Sequence, residues 1–174
     1  MARFPRPKFA DLLASYRTDS SSVHPCAVID PTVGGVNTCA CRMSEALVLT
    51  NHLAADRAAI GKLGTGKGDG LGYLLGKYGY GTTANTGRLC PHGIGRGAQD
   101  VGAFLKHHWG NRSAGWAAQE SGSSPADIQG KKGVIVFIKI PGFSGQGHVD
   151  LWNDTAVVGH DYWNSKLIWL WSLE

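Results

Sequence analysis

The sequence predicts an α+β fold, with helices first and an antiparallel sheet after them. Three observations lead there. In the first two thirds of the chain, apolar residues recur three and four apart, which is the spacing of one helix face. In the last third the pattern changes to continuous or alternating apolar runs separated by turn residues, which is the signature of strands. Segregated helices and strands, without βαβ alternation, pack as helices on one side of a sheet. A chain of 174 residues suits one domain, residues 1–174, around one core.

The elements follow in order. Lys8 to Tyr16 reads as a short helix, with Phe9, Leu12, Leu13 and Tyr16 at helical spacing after two prolines. Residues 18–38 are polar and broken by Gly and Pro, so they read as loop. Cys39 to about Leu53 is the strongest helix. Asn37 or Thr38 can cap it, and Ala40, Met43, Leu47 and Thr50 share a face. A second short helix fits Ala54 to Leu63. Gly61 to Gly81 is glycine-rich and reads as a long surface loop. Gly97 to Trp109 is helical, with Val101, Leu105 and Trp109 four apart. Gly133 to Ile140 is a continuous apolar run that suits a buried central strand. Gly147 to Trp152 forms a second strand and Asn153-Asp154-Thr155 a turn. A third strand starts at Ala156, and Leu167 to Trp171 closes the sheet as a meander.

Composition narrows the function. Hydrophobic residues make up 43% and charged residues 17%, the balance of an ordinary globular protein. The net charge of +4 comes from scattered Lys and Arg, with no basic run, which argues against nucleic acid as a partner. No segment approaches the ~20 apolar residues of a membrane span, so no membrane insertion is expected. Met1 to Lys8 lacks the apolar stretch of a signal peptide. The protein is therefore expected to be made in a cytoplasm and to leave it, if it does, by a route that needs no signal peptide. That also argues against a disulfide scaffold for Cys26, Cys39, Cys41 and Cys90, although Cys26 with Cys90 can pair outside a cytoplasm.

The chemistry centres on Cys39. It begins a helix, after the Gly34-Gly35 loop, where unpaired N–H groups and the helix dipole stabilise a thiolate and can hold an oxyanion. The competing reading is a small buried core residue. Cys41 lies about 200° further round the same helix, so only one of the two can face a given base. His148 opens a strand on which His148 and Asp150 share one face and Val149 and Leu151 the other. A strand-borne imidazole opposite a helix N-terminus is the layout of a Cys–His pair. A third group should orient the imidazole. Asp161, on the chain after the next turn, is the choice, with Asp150 and His160 as alternatives. His107 and His108 fall late in a helix, where a cation is favoured, and have no better claim. Two other motifs are set aside. Gly61-Lys-Leu-Gly-Thr-Gly-Lys67-Gly68 resembles a P-loop but ends in Gly where Ser or Thr should bind magnesium. Cys39 and Cys41 with Cys90 and His92 lack the spacing of a zinc knuckle.

Asn37-Thr-Cys39-Ala-Cys-Arg42-Met43-Ser44 resembles the nucleophile helix of the type VI secretion amidase effectors, fourth family, whose pattern is Asn-x-Cys-Ala-x-Arg-Met-Ser. Gly147-His148-Val149-Asp150-Leu151-Trp152 resembles the same family's Gly-His-Val-x-Leu-Trp strand. The Pro-x-Phe helix, the strand after Lys131-Lys132-Gly133 and the closing Leu-Trp-Ser-Leu-Glu are also similar. The likeness runs in order along nearly the whole chain. It puts Cys39 in the nucleophile place, Cys41 in a variable one and His148 in the base place. The family's third residue lies after the His strand. Direct spacing lands near Gly159, and a small insertion makes it Asp161; Asp150 falls at a variable position.

The resemblance implies a papain-like fold of the NlpC type, with no cofactor and no metal. It implies hydrolysis of the D-glutamyl–diaminopimelate amide in peptidoglycan stem peptides, after injection into a rival's periplasm. It also implies a cognate immunity protein in the producer. Two rival readings remain at this stage: a cysteine protease or deamidase acting on proteins, and a non-catalytic wall-binding module using the six tryptophans.

Overall fold

A computed structural model of the chain describes residues 3–18, 38–62, 78, 95–111, 114–117 and 126–174. The helices are α1 (Phe9–Ser15), α2 (Cys39–Thr50), α3 (Arg57–Lys62) and α4 (Ala98–Trp109). The strands are β1 (Ala114–Ala117), β2 (Lys131–Ile138), β3 (His148–Asp154), β4 (Ala156–Val157) and β5 (Leu167–Ser172). All pairings are antiparallel, in the order β1-β5-β2-β3-β4. The predicted glycine-rich loop lies almost entirely outside the described residues.

The α+β class is as expected, but the sheet is not a simple meander. β2, β3 and β4 follow one another, whereas β5 crosses back to the other side of β2 and receives β1. β2 explains why. Its residues from Gly133 to Ile138 are all buried, so it needs a strand on each edge and a layer on each face. β5 supplies the second edge, pairing Gly133 with Ser172 through to Ile138 with Leu167. β1, a short Ala-Gly-Trp-Ala stretch beside a Gly/Ser break, carries little strand signal in the sequence.

The two faces of the sheet build two cores. Val134, Val136, Ile138, Val149, Leu151 and Trp171 meet α1, α2 and α4. Ile135, Phe137, Trp152, Ile168 and Leu170 turn to the opposite face and meet Ile128, Ile140 and Trp163. The Trp152 indole is fully buried and donates to the Ile128 carbonyl at 2.8 Å, so its polar edge is satisfied.

α2 is held by burial rather than by its cap. Thr38 occupies the N-cap position but makes no side-chain capping bond, which forgoes about 1 kcal/mol. Every residue from Cys39 to Val48 is buried, and each large apolar side chain among them contributes about 1.5–3 kcal/mol. Burial wins by a wide margin. The Thr38 side chain thus leaves the first amides of α2 uncapped, and this end carries Cys39.

Polar ties lock α1 to α2. Arg42 donates to the carbonyls of Arg17 at 3.0 Å and Thr18 at 3.1 Å, and its guanidinium lies 5.7 Å from the Tyr16 ring. Glu45, fully buried, pairs with Arg17 at 3.0 Å and Arg57 at 3.5 Å. Burial raises its carboxyl above the ordinary range, against the pull of Arg17 and Arg57.

Candidate active site

The start of α2 meets β3 at the strand's edge. β4 covers β3 only at Trp152 and Asn153. Upstream of that pairing, the backbone N–H of Val149 is aimed at Cys39, donating to its Sγ at 3.5 Å. Cys39 is buried, 1% exposed, and both Cys39 and Cys41 are thiols rather than disulfide halves.

His148 opens β3 in a position that only glycine can precede. Gly147 has φ +129, and a Cβ there would run into the Phe137 carbonyl. Gln146, just before it, is tied to α4: its Oε1 accepts from the Asp100 amide at 3.2 Å and its Nε2 donates to Asp100 at 3.1 Å. The strand entry is thereby fixed against the helix layer. The imidazole stacks on Phe137, with ring centres 6.3 Å apart, and lies 5.0 Å from the tilted ring of Tyr162.

The imidazole's partners divide between its two nitrogens. Nε2 donates to Asp150 Oδ2 at 2.9 Å. Nδ1 is buried without a formed hydrogen bond and is the nitrogen left for the thiol. Burial by itself lowers the basicity of His148. The hydrogen bond to Asp150 and the nearness of the Cys39 sulfur, followed by the charges of those two groups, outweigh it and hold the imidazole at about 9. At neutral pH it is an imidazolium set beside the Cys39 sulfur.

The cysteine choice has a physical basis. Burial, then the proximity of Cys39, pushes Cys41 up to about 12, so it stays a neutral thiol. It is 2% exposed and belongs to the helix-side core.

Asp161 does not join the site. β4 ends at Val157, the chain bends over residues 158–159, and Asp161 is carried out to an exposed position. The carboxylate on the imidazole is that of Asp150, two residues along the same strand and fully buried. Its Oδ1 also accepts from the Leu151 amide at 2.8 Å, and its Oδ2 from the His160 amide at 3.2 Å. His160 contributes backbone only; its side chain is exposed. The partners Cys90 and His92 of the zinc arrangement, and Cys26 with Cys90, lie outside the described residues.

Tyr16, the last residue of the helical spacing, stands at the C-cap of α1. Its hydroxyl is buried without a formed hydrogen bond, beside the cluster. Burial first, then the nearby Asp150 carboxylate, raises its pKa well above the ordinary value, so it is a neutral O–H donor facing that carboxylate. Nothing in the helical spacing distinguishes it from its apolar neighbours.

A thiol on a helix N-terminus, an imidazole at the head of a strand and a carboxylate behind it can together perform acyl transfer. The scaffold that carries them is α+β and papain-like, of the NlpC type. The profile of the type VI secretion system (T6SS) amidase effector protein 4 family, Tae4, matches residues 36–171, and the chain belongs to that family. Its members are hydrolases of the amidase class, antibacterial effectors directed at peptidoglycan.

No curated protein sequence matches the chain. Among solved structures it is similar to the type VI effector Tae4 from Enterobacter cloacae, at 17% identity and TM-score 0.64, with all of both chains covered. It is similar too to Tae4 from Salmonella Typhimurium in the Tae4–Tai4 effector–immunity complex. That match has 20% identity and TM-score 0.62, with 98% of this chain and 100% of that one covered. The Salmonella effector bound to the Enterobacter immunity protein Tai4 gives 20% identity and TM-score 0.62, covering 97% of this chain. At such identities the likeness is one of fold.

Proposed function

We propose that residues 1–174 act as a cysteine amidase that hydrolyses the D-glutamyl–diaminopimelate bond of peptidoglycan stem peptides. Cys39 is the nucleophile, His148 the acid–base and Asp150 the positioning carboxylate. The observation that carries this reading is the His148 ring, with one nitrogen bonded to a buried carboxylate at 2.9 Å and the other left for the thiol at the start of α2.

In this reading His148 takes the Cys39 proton to become the imidazolium, and the sulfur anion attacks the amide carbonyl carbon. The carbonyl electron pair moves to oxygen, where the uncapped amides at the start of α2 receive it. As the intermediate collapses, the carbon–nitrogen bond breaks and the His148 imidazolium gives its proton to the diaminopimelate amine. The neutral imidazole then takes a proton from water, whose oxygen attacks the thioester. The sulfur leaves, a D-glutamyl carboxylate is released, and the imidazolium is restored. No step uses a metal.

Family membership supports delivery by type VI secretion into the periplasm of a target cell. The relatives' complexes with Tai4 support a cognate immunity protein as partner. No helix among the described residues is long and apolar enough to cross a membrane.

The test is digestion of purified sacculi followed by mass spectrometry of the fragments. New diaminopimelate amines and D-glutamate carboxyls should appear with the wild type and be absent with Cys39→Ala. Normal digestion by folded Cys39→Ala overturns the nucleophile. Cleavage of casein but not of muropeptides overturns the substrate.

A further inference from the structure

The placement of the Asp150 carboxylate bears on a position with no side chain at all. This argument rests on the reading of Cys39 and His148 just given. The carboxylate is wholly enclosed, and the chain beyond β4 passes against it: the amide of His160 donates to Oδ2 at 3.2 Å. The residue before it is Gly159. A Cβ built on Gly159 would lie 2.4 Å from Asp150 Oδ2, 3.3 Å from its Cγ and 3.4 Å from Oδ1. Non-bonded atoms do not approach as closely as the first of these, so no side chain fits at residue 159 while the carboxylate is in place. Backbone conformation is not the reason for the glycine, because Gly159 is not among the residues with positive φ.

The direction of that clash matters as much as its size. Within an aspartate, bonds of about 1.5 and 1.25 Å put each carboxylate oxygen about 2.4 Å from its own Cβ. A Cβ at residue 159 would therefore stand as far from the Oδ2 locus as it would from an oxygen of its own. We infer that the carboxylate pocket behind the His148 ring can be filled from two backbone positions. Residue 150 fills it in this protein, and residue 159 is glycine because it must leave that space clear. Gly159 is thus a positioning residue by virtue of its missing side chain.

The test moves the carboxylate. Asp150→Ala should lower kcat on sacculi by about 10²- to 10⁴-fold, the range for loss of an imidazole-orienting carboxylate. The double variant Asp150→Ala with Gly159→Asp should recover at least about tenfold of that. Gly159→Ala alone adds one methyl group and no charge. It should push the carboxylate off the ring and lower kcat by about tenfold or more. A second readout needs no turnover: titration of the His148 ring by nitrogen NMR. Its pKa should fall in Asp150→Ala and in Gly159→Ala, and rise again in the double variant.

A folded double variant no faster than Asp150→Ala, with no recovery in the titration, overturns the inference. So does Gly159→Ala at the wild-type rate with an unmoved titration. If Asp150→Ala does not fold, judged by its melting temperature, Gly159→Ala decides alone. A wild-type protein that fails to cut sacculi would sink the amidase reading, while the titration still reports where the carboxylate sits.

Discussion

Replacing Asp150 with Asn changes the charge behind His148 and almost nothing else. Of the two backbone amides that now donate to the carboxylate, Leu151 to Oδ1 at 2.8 Å and His160 to Oδ2 at 3.2 Å, one keeps an oxygen acceptor and the other faces the new NH₂. What disappears is the negative partner of Nε2. The rise of His148 from 6.5 to about 9 favours the imidazolium by about 3 kcal/mol. The Asp150 hydrogen bond leads the effects that raise it, and burial opposes them all. Without the charge only Cys39 works against burial, so the pKa should drop by at least about one unit. Orientation suffers too. If the new amide turns its NH₂ toward Nε2, the ring proton must move to Nδ1, the nitrogen needed as base toward the thiol. The comparable change in a serine protease triad costs about 10⁴ in kcat, so a loss of about 10²- to 10⁴-fold is expected. The assay is the initial rate of sacculus turbidity loss between pH 6 and 10, alongside the His148 titration. The wild-type rate should fall as pH rises through about 9, where the imidazolium that protonates the leaving amine is lost. In the variant that descending limb should move to lower pH. A variant within about threefold of wild type with an unmoved limb would refute the argument.

Three further outcomes follow from the same geometry. His148 has a folded-state pKa above its unfolded value, so its stabilisation is fully present below pH 6.5 and is lost as pH rises toward about 9. Urea unfolding across that window should show a decline of about 3 kcal/mol in the wild type and a smaller one in Asp150→Asn. Cys41, held at about 12, has a thiolate fraction of about one in ten thousand or less at pH 7.5. Peptide mapping after brief iodoacetamide treatment of the native protein should find it unmodified, and Cys41→Ala should keep the rate. Glu45 lies 3.0 and 3.5 Å from two arginines, yet its carboxyl is raised, because burial costs its charge more than the pairs return. Glu45→Gln should therefore change stability at pH 7 by under about 1 kcal/mol, whereas Arg17→Ala, which strips a buried charge of its nearer partner, should cost about 3 kcal/mol. Equal losses in thermal or urea unfolding would contradict that asymmetry.

The parts of the fold readable in the sequence are those with a strong period or an unbroken apolar run. α2 and α4 carry a helical stripe, and β2 carries six consecutive buried residues, which is why their extents were close. β1 and the crossing of β5 were not readable, because a pattern gives a strand's faces and not its neighbours. The alternation along β3 put His148 and Asp150 on one face, and the structure pairs Phe137 with His148 and Ile135 with Asp150 on that face. What alternation does not give is reach. Residues two apart on a strand stand side by side, so a short carboxylate can bond the imidazole two positions away without any help from the next strand. The spacing argument for Asp161 assumed that the chain after β4 stays in the sheet. Strand pairing ends at Val157; the Val158 amide still donates to the Leu151 carbonyl at 2.9 Å, and the His160 amide then returns to Asp150. The decisive local signal was the glycine at residue 159. A position beside the His148 strand that carries no side chain, where the backbone does not require glycine, implies that something else occupies the space. In this protein that occupant is the side chain of Asp150, already present in the strand motif two residues after the histidine.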